Sequence, residues 1–143
     1  MKKFLSIFMA MTIIVCSALF TACGGISSDW EKVEANLIAE DYDIEVSSDS
    51  SWEINEHLDA LDVNSYTYKD RVNYVICAED FLELIFIFFC EDSATAEEIK
   101  GDIKSWAVKG FAETARSSED DVVYGCNGSV FYIGTKDAVK AAK

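Results

Sequence analysis

From Phe81 to Cys90 the chain runs Phe-Leu-Glu-Leu-Ile-Phe-Ile-Phe-Phe-Cys, a single charge in ten residues. Laid out as a strand, Leu82, Leu84, Phe86, Phe88 and Cys90 point one way, and Phe81, Glu83, Ile85, Ile87 and Phe89 the other. Both faces are apolar apart from Glu83. Such a strand belongs in the middle of a sheet covered on both sides, because a face left in water would expose a row of large apolar groups. A long apolar run can also be a buried helix, but its aromatic and isoleucine content favours strand.

The flanking segments supply its neighbours. Ser28-Asp29-Trp30-Glu31 fits a capping box, with Ser28 as N-cap and Glu31 reaching back. Trp30, Val33, Leu37 and Ile38 then share one face of a helix ending near Glu40. Tyr42 to Val46 alternates apolar and acidic residues, the pattern of a half-buried strand. Ser47 to Ser51 is a polar loop, and Glu53 to Leu61 is a short helix with Ile54, Leu58 and Leu61 inward. Val63 to Tyr68 and Val72 to Cys77 read as strands. Ser93 caps a long helix from Ala94 to Ala115, whose inward stripe is Ile99, Ile103, Trp106, Ala107, Gly110 and Phe111. Gly110 on that stripe would allow close approach to the sheet. An acidic loop, Ser117 to Asp121, leads into a hairpin from Val122 to Ile133 around Asn127-Gly128. Its register sets Tyr124 opposite Phe131 and Val122 opposite Ile133. Thr135 caps a final helix through Ala142.

This order implies an α+β fold. It is a single two-layer sandwich, an antiparallel sheet of about five to six strands with two main helices on one face. There is no internal repeat and no boundary after Ser28, so residues 29–143 form one domain. Strand order stays open.

Ahead of this body, Lys2 and Lys3 precede an apolar run from Phe4 to Ala22, and no acid occurs before Asp29. On length alone that run is able to stay in a bilayer as an uncut helix. It ends, however, in Leu19-Phe20-Thr21-Ala22-Cys23-Gly24-Gly25, with the small side chains before a cysteine that peptidase sites need. The stretch resembles the lipobox of bacterial lipoprotein precursors, with Phe20 where Leu is usual. The resemblance implies that signal peptidase II removes residues 1–22 and that Cys23 carries a diacylglyceryl group through a thioether. Residues 23–28 become the lipidated cysteine and a short tether. The expected location is the extracytoplasmic face of a bacterial cell membrane. Two acyl chains anchor stably, each buried methylene contributing about 0.8 kcal/mol. The folded domain then has no membrane-binding duty.

Removing residues 1–22 from 143 leaves 121, the size of one ordinary domain. The leader holds two of the 12 bases and none of the 26 acids, so ten bases face 26 acids and the mature formal charge is −16. That balance excludes the basic footprint of a nucleic-acid binder and disfavours docking of the body on anionic lipid. Three Trp, six Tyr and six of the nine Phe remain, enough for a packed core. Apart from Cys23, the mature cysteines are Cys77, Cys90 and Cys126, so one disulfide at most is available. Cys90 with Cys126 is the preferred pair, both lying near strand ends. The alternative is three reduced cysteines acting as small apolar residues.

No residue pattern names a reaction. His57 is the only histidine, so a Ser-His-Asp or Cys-His arrangement would have to use it. It lies off the inward line of its helix, as a surface histidine does, and there is no Gly-x-Ser-x-Gly elbow. His57, Cys77, Cys90 and Cys126 suffice in number for zinc, but no Cys-x-x-Cys knuckle preforms a site. Asp41, Asp43, Glu45, Ser47 and Asp49 alternate like calcium ligands. A calcium loop beginning at Asp41 would put Val46 where glycine is needed and Trp52 where a bidentate Glu is needed. The alternation instead marks the wet side of a strand. Weak calcium binding there or at Glu119-Asp120-Asp121 is left open. Asn127-Gly128-Ser129 matches a glycosylation sequon, but the turn accounts for it. No catalytic residue, cofactor or metal site is assigned.

One surface carries a functional expectation. If both main helices cover the Leu84 and Phe86 side, then Ile85, Ile87 and Phe89 form an open face, joined by Tyr66, Tyr68, Tyr74 and Tyr132. Exposed apolar patches mark partner or ligand sites. The alternative is that short helices or loops cover this face and make it core. The resulting expectation is a non-enzymatic binding or accessory module of the cell envelope, anchored through Cys23. It would engage an unknown envelope protein or small ligand through this face, and no nucleic acid. An inhibitory or structural partner of a membrane complex, working through the acidic surface, is the main alternative; a hydrolase is a further one.

Overall fold

The computed structural model describes residues 25–48 and 52–143. The leader, Cys23 and Asp49 lie outside them. The described chain contains the strands β1 (Asp43–Ser48), β2 (Val72–Asp80), β3 (Glu83–Cys90), β4 (Val122–Asn127) and β5 (Val130–Thr135). Its helices are α1 (Trp30–Ala39), α2 (Trp52–Ala60), α3 (Ser65–Tyr68), α4 (Ser93–Asp102), α5 (Ser105–Thr114) and α6 (Lys136–Ala141). The five strands make one antiparallel sheet in the order β1-β2-β3-β5-β4, and the fold is α+β.

β3 is the central strand, as its two apolar faces require. Leu84, Phe86, Phe88 and Cys90 pack with Ile54 and Leu58 of α2, Tyr68 of α3, Ile99 of α4 and Phe111 of α5. Ile85, Ile87 and Phe89 pack with Ile26, Val33 and Leu37 around α1, and with Ala138 and Val139 of α6. Helices therefore cover both sides of the sheet. The expectation of both main helices on one face is corrected: α1 lies on the side opposite α4 and α5. Its reason is in β3 itself, because neither face tolerates water and one helix layer cannot cover two.

Other expectations change locally. Val63 to Tyr68 is not a strand. Asn64 Oδ1 accepts from the Tyr66 N–H at 3.1 Å and starts the single turn α3, while Val63 still enters the core. The long helix is broken at Ile103 and Lys104, both extended, beside Gly101. The break keeps Ile99, Ile103, Ala107 and Phe111 buried but turns Trp106 out, and Gly110 faces open space. Ile38 is likewise exposed. Two N-caps shift by one residue, to Asp29 for α1 and Asp92 for α4, whose carboxylate accepts from the Thr95 N–H and hydroxyl, both at 2.8 Å. The final hairpin pairs Val122 with Thr135, Tyr124 with Ile133 and Cys126 with Phe131. Its two-residue turn is thus Gly128-Ser129, with Gly128 at φ 58, and the register slides by two residues without exchanging the faces.

The two ends of the sheet differ. Asn127, at the β4–β5 turn, donates from Nδ2 to the Ile26 carbonyl at 2.8 Å, so the N-terminal segment enters the fold at this pole. The β2–β3 turn sits at the other end of β3, whose Phe89 pairs with Val130 and whose Glu83 pairs with Asp80. About 20 Å of strand separates the two turns.

A Cβ on Gly134 would lie 2.8 Å from Cγ1 of Ile85 and 3.1 Å from the Leu84 carbonyl, so Gly134→Ala is expected to cost about 1–3 kcal/mol. Ile87→Ala should cost about 2–5 kcal/mol, and Ile87→Asp should unfold the domain. Denaturant melts followed by tryptophan fluorescence check all three; a folded Ile87→Asp would contradict the covered face.

Candidate functional site

Among the described residues, four other than glycine have positive φ: Asp41, Asp62, Phe81 and Arg116. Three of these stop helices. Tyr42, Val63 and Ser117 return their N–H groups to the carbonyls of Leu37, Leu58 and Ala112, so Asp41, Asp62 and Arg116 hold the left-handed residue of a helix C-cap. Phe81 is different. It opens the two-residue turn between Asp80 and Glu83, a position that glycine or asparagine usually fills. A bulky residue there is strained, yet Phe81 is 88% exposed, so burial does not offset the strain. Leu82 beside it is also exposed. The turn therefore presents two adjacent apolar side chains to water on an unfavourable backbone, a pattern that belongs with functional sites.

A cleft of about 460 Å³ opens against this turn. Cys77, Leu84, Phe86 and Ala115 line its apolar part, and Asp43, Glu79, Asp80 and Glu83 supply carboxylates. Arg116, at the end of α5, also lines it. A second hollow, of about 480 Å³, lies across the turn, among Glu40, Tyr42, Asp80, Glu83, Asp137 and Lys140. Asp80 and Glu83 belong to both. Burial first, then the carboxylates of Glu83, Asp80, Asp137 and Glu40, push the Tyr42 phenol up to about 12. Glu83 is held in place by the hydroxyl of buried Thr135, which donates to its carboxylate. An apolar ridge thus stands between two hollows with acidic walls.

The residues expected at a partner face lie elsewhere. Ile85, Ile87 and Phe89 are buried under α1 and α6, which corrects the open-face expectation. Tyr74 is stacked on Trp30 with centroids 5.4 Å apart, and Tyr132 packs in the same cluster. Tyr68 is buried on the opposite side, its hydroxyl donating to Asp102 at 2.6 Å. Tyr66 is exposed, on α3. These side chains do not converge.

The Cys90–Cys126 bridge is not formed; Cys77, Cys90 and Cys126 are all thiols. Cys126 donates to the Ala96 carbonyl at 3.2 Å. Burial pushes Cys77 and Cys90 up to about 12 and Cys126 up to about 11, so the reactive thiolate is scarce. Ser47 is buried, which removes it from the row of acids on β1. Among the described residues no three His, Cys, Asp or Glu side chains gather as metal ligands, and no helix is long and apolar enough to cross a membrane.

His57 is half-buried rather than on the surface. Its ring lies 5.0 Å from that of Phe86, beside the cleft floor. Desolvation lowers its pKa from the ordinary 6.5, against the opposing pull of Glu45, Glu56 and Glu53. Sequence reasoning missed Phe81, Leu82, Arg116 and Tyr42 as site residues. The acids flanking Phe81-Leu82 were the one available signal, since neither glycine, asparagine nor proline marks the turn.

Two outcomes follow from this geometry. Because folded His57 resists the proton that an unfolded imidazole accepts, its contribution is complete above pH 6.5 and is lost as pH falls below it. Between about pH 7.5 and 5.5, the denaturant midpoint of the wild type should drop further than that of His57→Gln. Phe81→Gly relieves about 1–2 kcal/mol of left-handed strain against about 0.5–1 kcal/mol of added chain entropy. Its melting temperature should equal or exceed that of the wild type.

Compared with known proteins, the chain matches no protein family, no curated protein and no solved structure.

Proposed function

We propose that this chain is a membrane-anchored bacterial lipoprotein whose folded body is a non-enzymatic binding module of the extracytoplasmic envelope. Its contact surface is the pole around Phe81. The observation that carries this reading is polarity. The N-terminal segment enters beside Asn127 at one end of the sheet, and the strained apolar turn with its two hollows lies at the other. A lipid on Cys23 would hold the first pole near the bilayer and turn the second outward. The burial of Ile85, Ile87 and Phe89 under α1 and α6 directs binding away from that face. The reading as an inhibitory or structural partner of a membrane complex draws on the same acidic pole and differs in the identity of what binds there.

The anchoring part predicts that Cys23→Ala loses incorporated palmitate and leaves the membrane fraction; retention of both would overturn it. The polarity part predicts that a photo-crosslinking residue at position 81 forms protein adducts in intact membranes, whereas one at position 128 does not. The reverse pattern would place the contact surface at the tether pole.

A further inference from the structure

We infer that the pole around Phe81 takes a basic, amphipathic polypeptide segment of a partner protein, with an apolar side chain in the cleft and cationic side chains on its walls. This rests on the reading of that pole as the contact surface and adds the chemistry of what it contacts.

Charge complementarity carries the choice. The two hollows together expose six carboxylates against two bases, Arg116 and Lys140. Asp80 serves both hollows from the turn itself, and the phenol of Tyr42 is held protonated among the acids of the second. A ligand entering here meets a negative field from both sides, so an anionic one is repelled and a cationic one is drawn in. Charge alone does not describe the site. The first cleft has apolar lining in Leu84, Phe86 and Ala115, and Phe81 with Leu82 stands beside it as an exposed ridge. A purely hydrophilic cation would leave that apolar surface unused. A segment that alternates basic and apolar residues meets both, the apolar contact supplying affinity and the rim charges supplying register and rate.

The shape favours a polypeptide over a small molecule. The apolar ridge divides the charged surface into two hollows that share Asp80 and Glu83. One small ligand would fill one hollow. An extended chain, whose side chains recur at about 6.6 Å on each side, is able to straddle the ridge and place cations in both. The partner must also lie within reach of a body tethered to the membrane, which suits an envelope protein.

The test titrates the full-length protein, in nanodiscs of zwitterionic lipid, with three short synthetic peptides. One alternates Lys with Leu, one alternates Glu with Leu, and one alternates Lys with Gly; empty nanodiscs correct for lipid binding. The Lys-Leu peptide should bind at least about tenfold tighter than either of the others, with affinity falling as salt rises. The Glu79→Gln/Asp80→Asn double variant and Phe81→Gly should each weaken it by about tenfold while melting no lower than the wild type. Equal binding of the Lys-Gly peptide reduces the pole to an unspecific charged surface and overturns the inference. So does binding of the Glu-Leu peptide, or Lys-Leu binding that both variants leave unchanged. Failure of all three peptides, with crosslinks at position 81 retained, overturns this inference alone. Loss of those crosslinks overturns the underlying reading.

Discussion

The structure depends on the burial of β3 from two sides at once. Its side chains alternate between faces, and seven of them, Leu84 to Cys90, are in the core. A strand with one wet face needs one layer of helices. This one needs two, and the chain provides them with unequal means. α2 to α5 cover the Leu84 side, while α1 and the short α6 cover the Ile85 side with help from Ile26. Gly134 shows how close the fit is, since β5 crosses Ile85 with no room for a methyl group. Where β3 is satisfied, the rest of the sheet follows in antiparallel order around it.

The parts of the fold legible in the sequence were those written in periodicity. β3, the inward residues of α2, the pairing faces of the last hairpin and the α+β class all rest on repeating apolar positions, which a single sequence displays directly. What was not legible depended on events of one residue. Asn64 converts an apolar strand-like stretch into a helical turn by capping the Tyr66 N–H. Ile103 and Lys104, both extended, interrupt an apolar pattern that runs at helical spacing straight through the break. The side of the sheet chosen by α1 could not be read at all, since β3 offers the same kind of surface on both.

The candidate site was hidden for a related reason. Phe81 and Leu82 continue the apolar alternation of β3, so by pattern they are strand, and the turn they make contains none of the residues that announce turns. The cleft beside them is assembled from the start of β1, the β2–β3 turn and the end of α5, which are distant in sequence. Its acids were visible singly, Asp43 in the alternating row and Glu83 as the one charge of the apolar run, but no pattern drew them together. The three expectations tied to single residue types fared differently. His57 serves as a neighbour of Phe86, the cysteines are free thiols, Cys90 buried and Cys77 and Cys126 half-buried, and the tyrosines are divided between the two cores and the surface.

Covering both faces of the sheet limits which surfaces are left for a contact. A two-layer sandwich keeps one broad sheet face for ligands; here helices occupy both, and what remains are helix backs, strand edges and the two poles. One pole receives the N-terminal segment beside Asn127 and, with the proposed lipid, would face the bilayer. The helix backs show isolated apolar residues such as Trp106 and Ile38, which scatter singly on most surfaces. Among the described residues, adjacent exposed apolar side chains, an unfavourable backbone conformation and two acid-walled hollows coincide at the Phe81 turn. Phe81 holds its left-handed backbone while 88% exposed, so burial does not offset the strain. The proposed contact would engage this residue from outside the domain, and the acids on either side favour a cationic one.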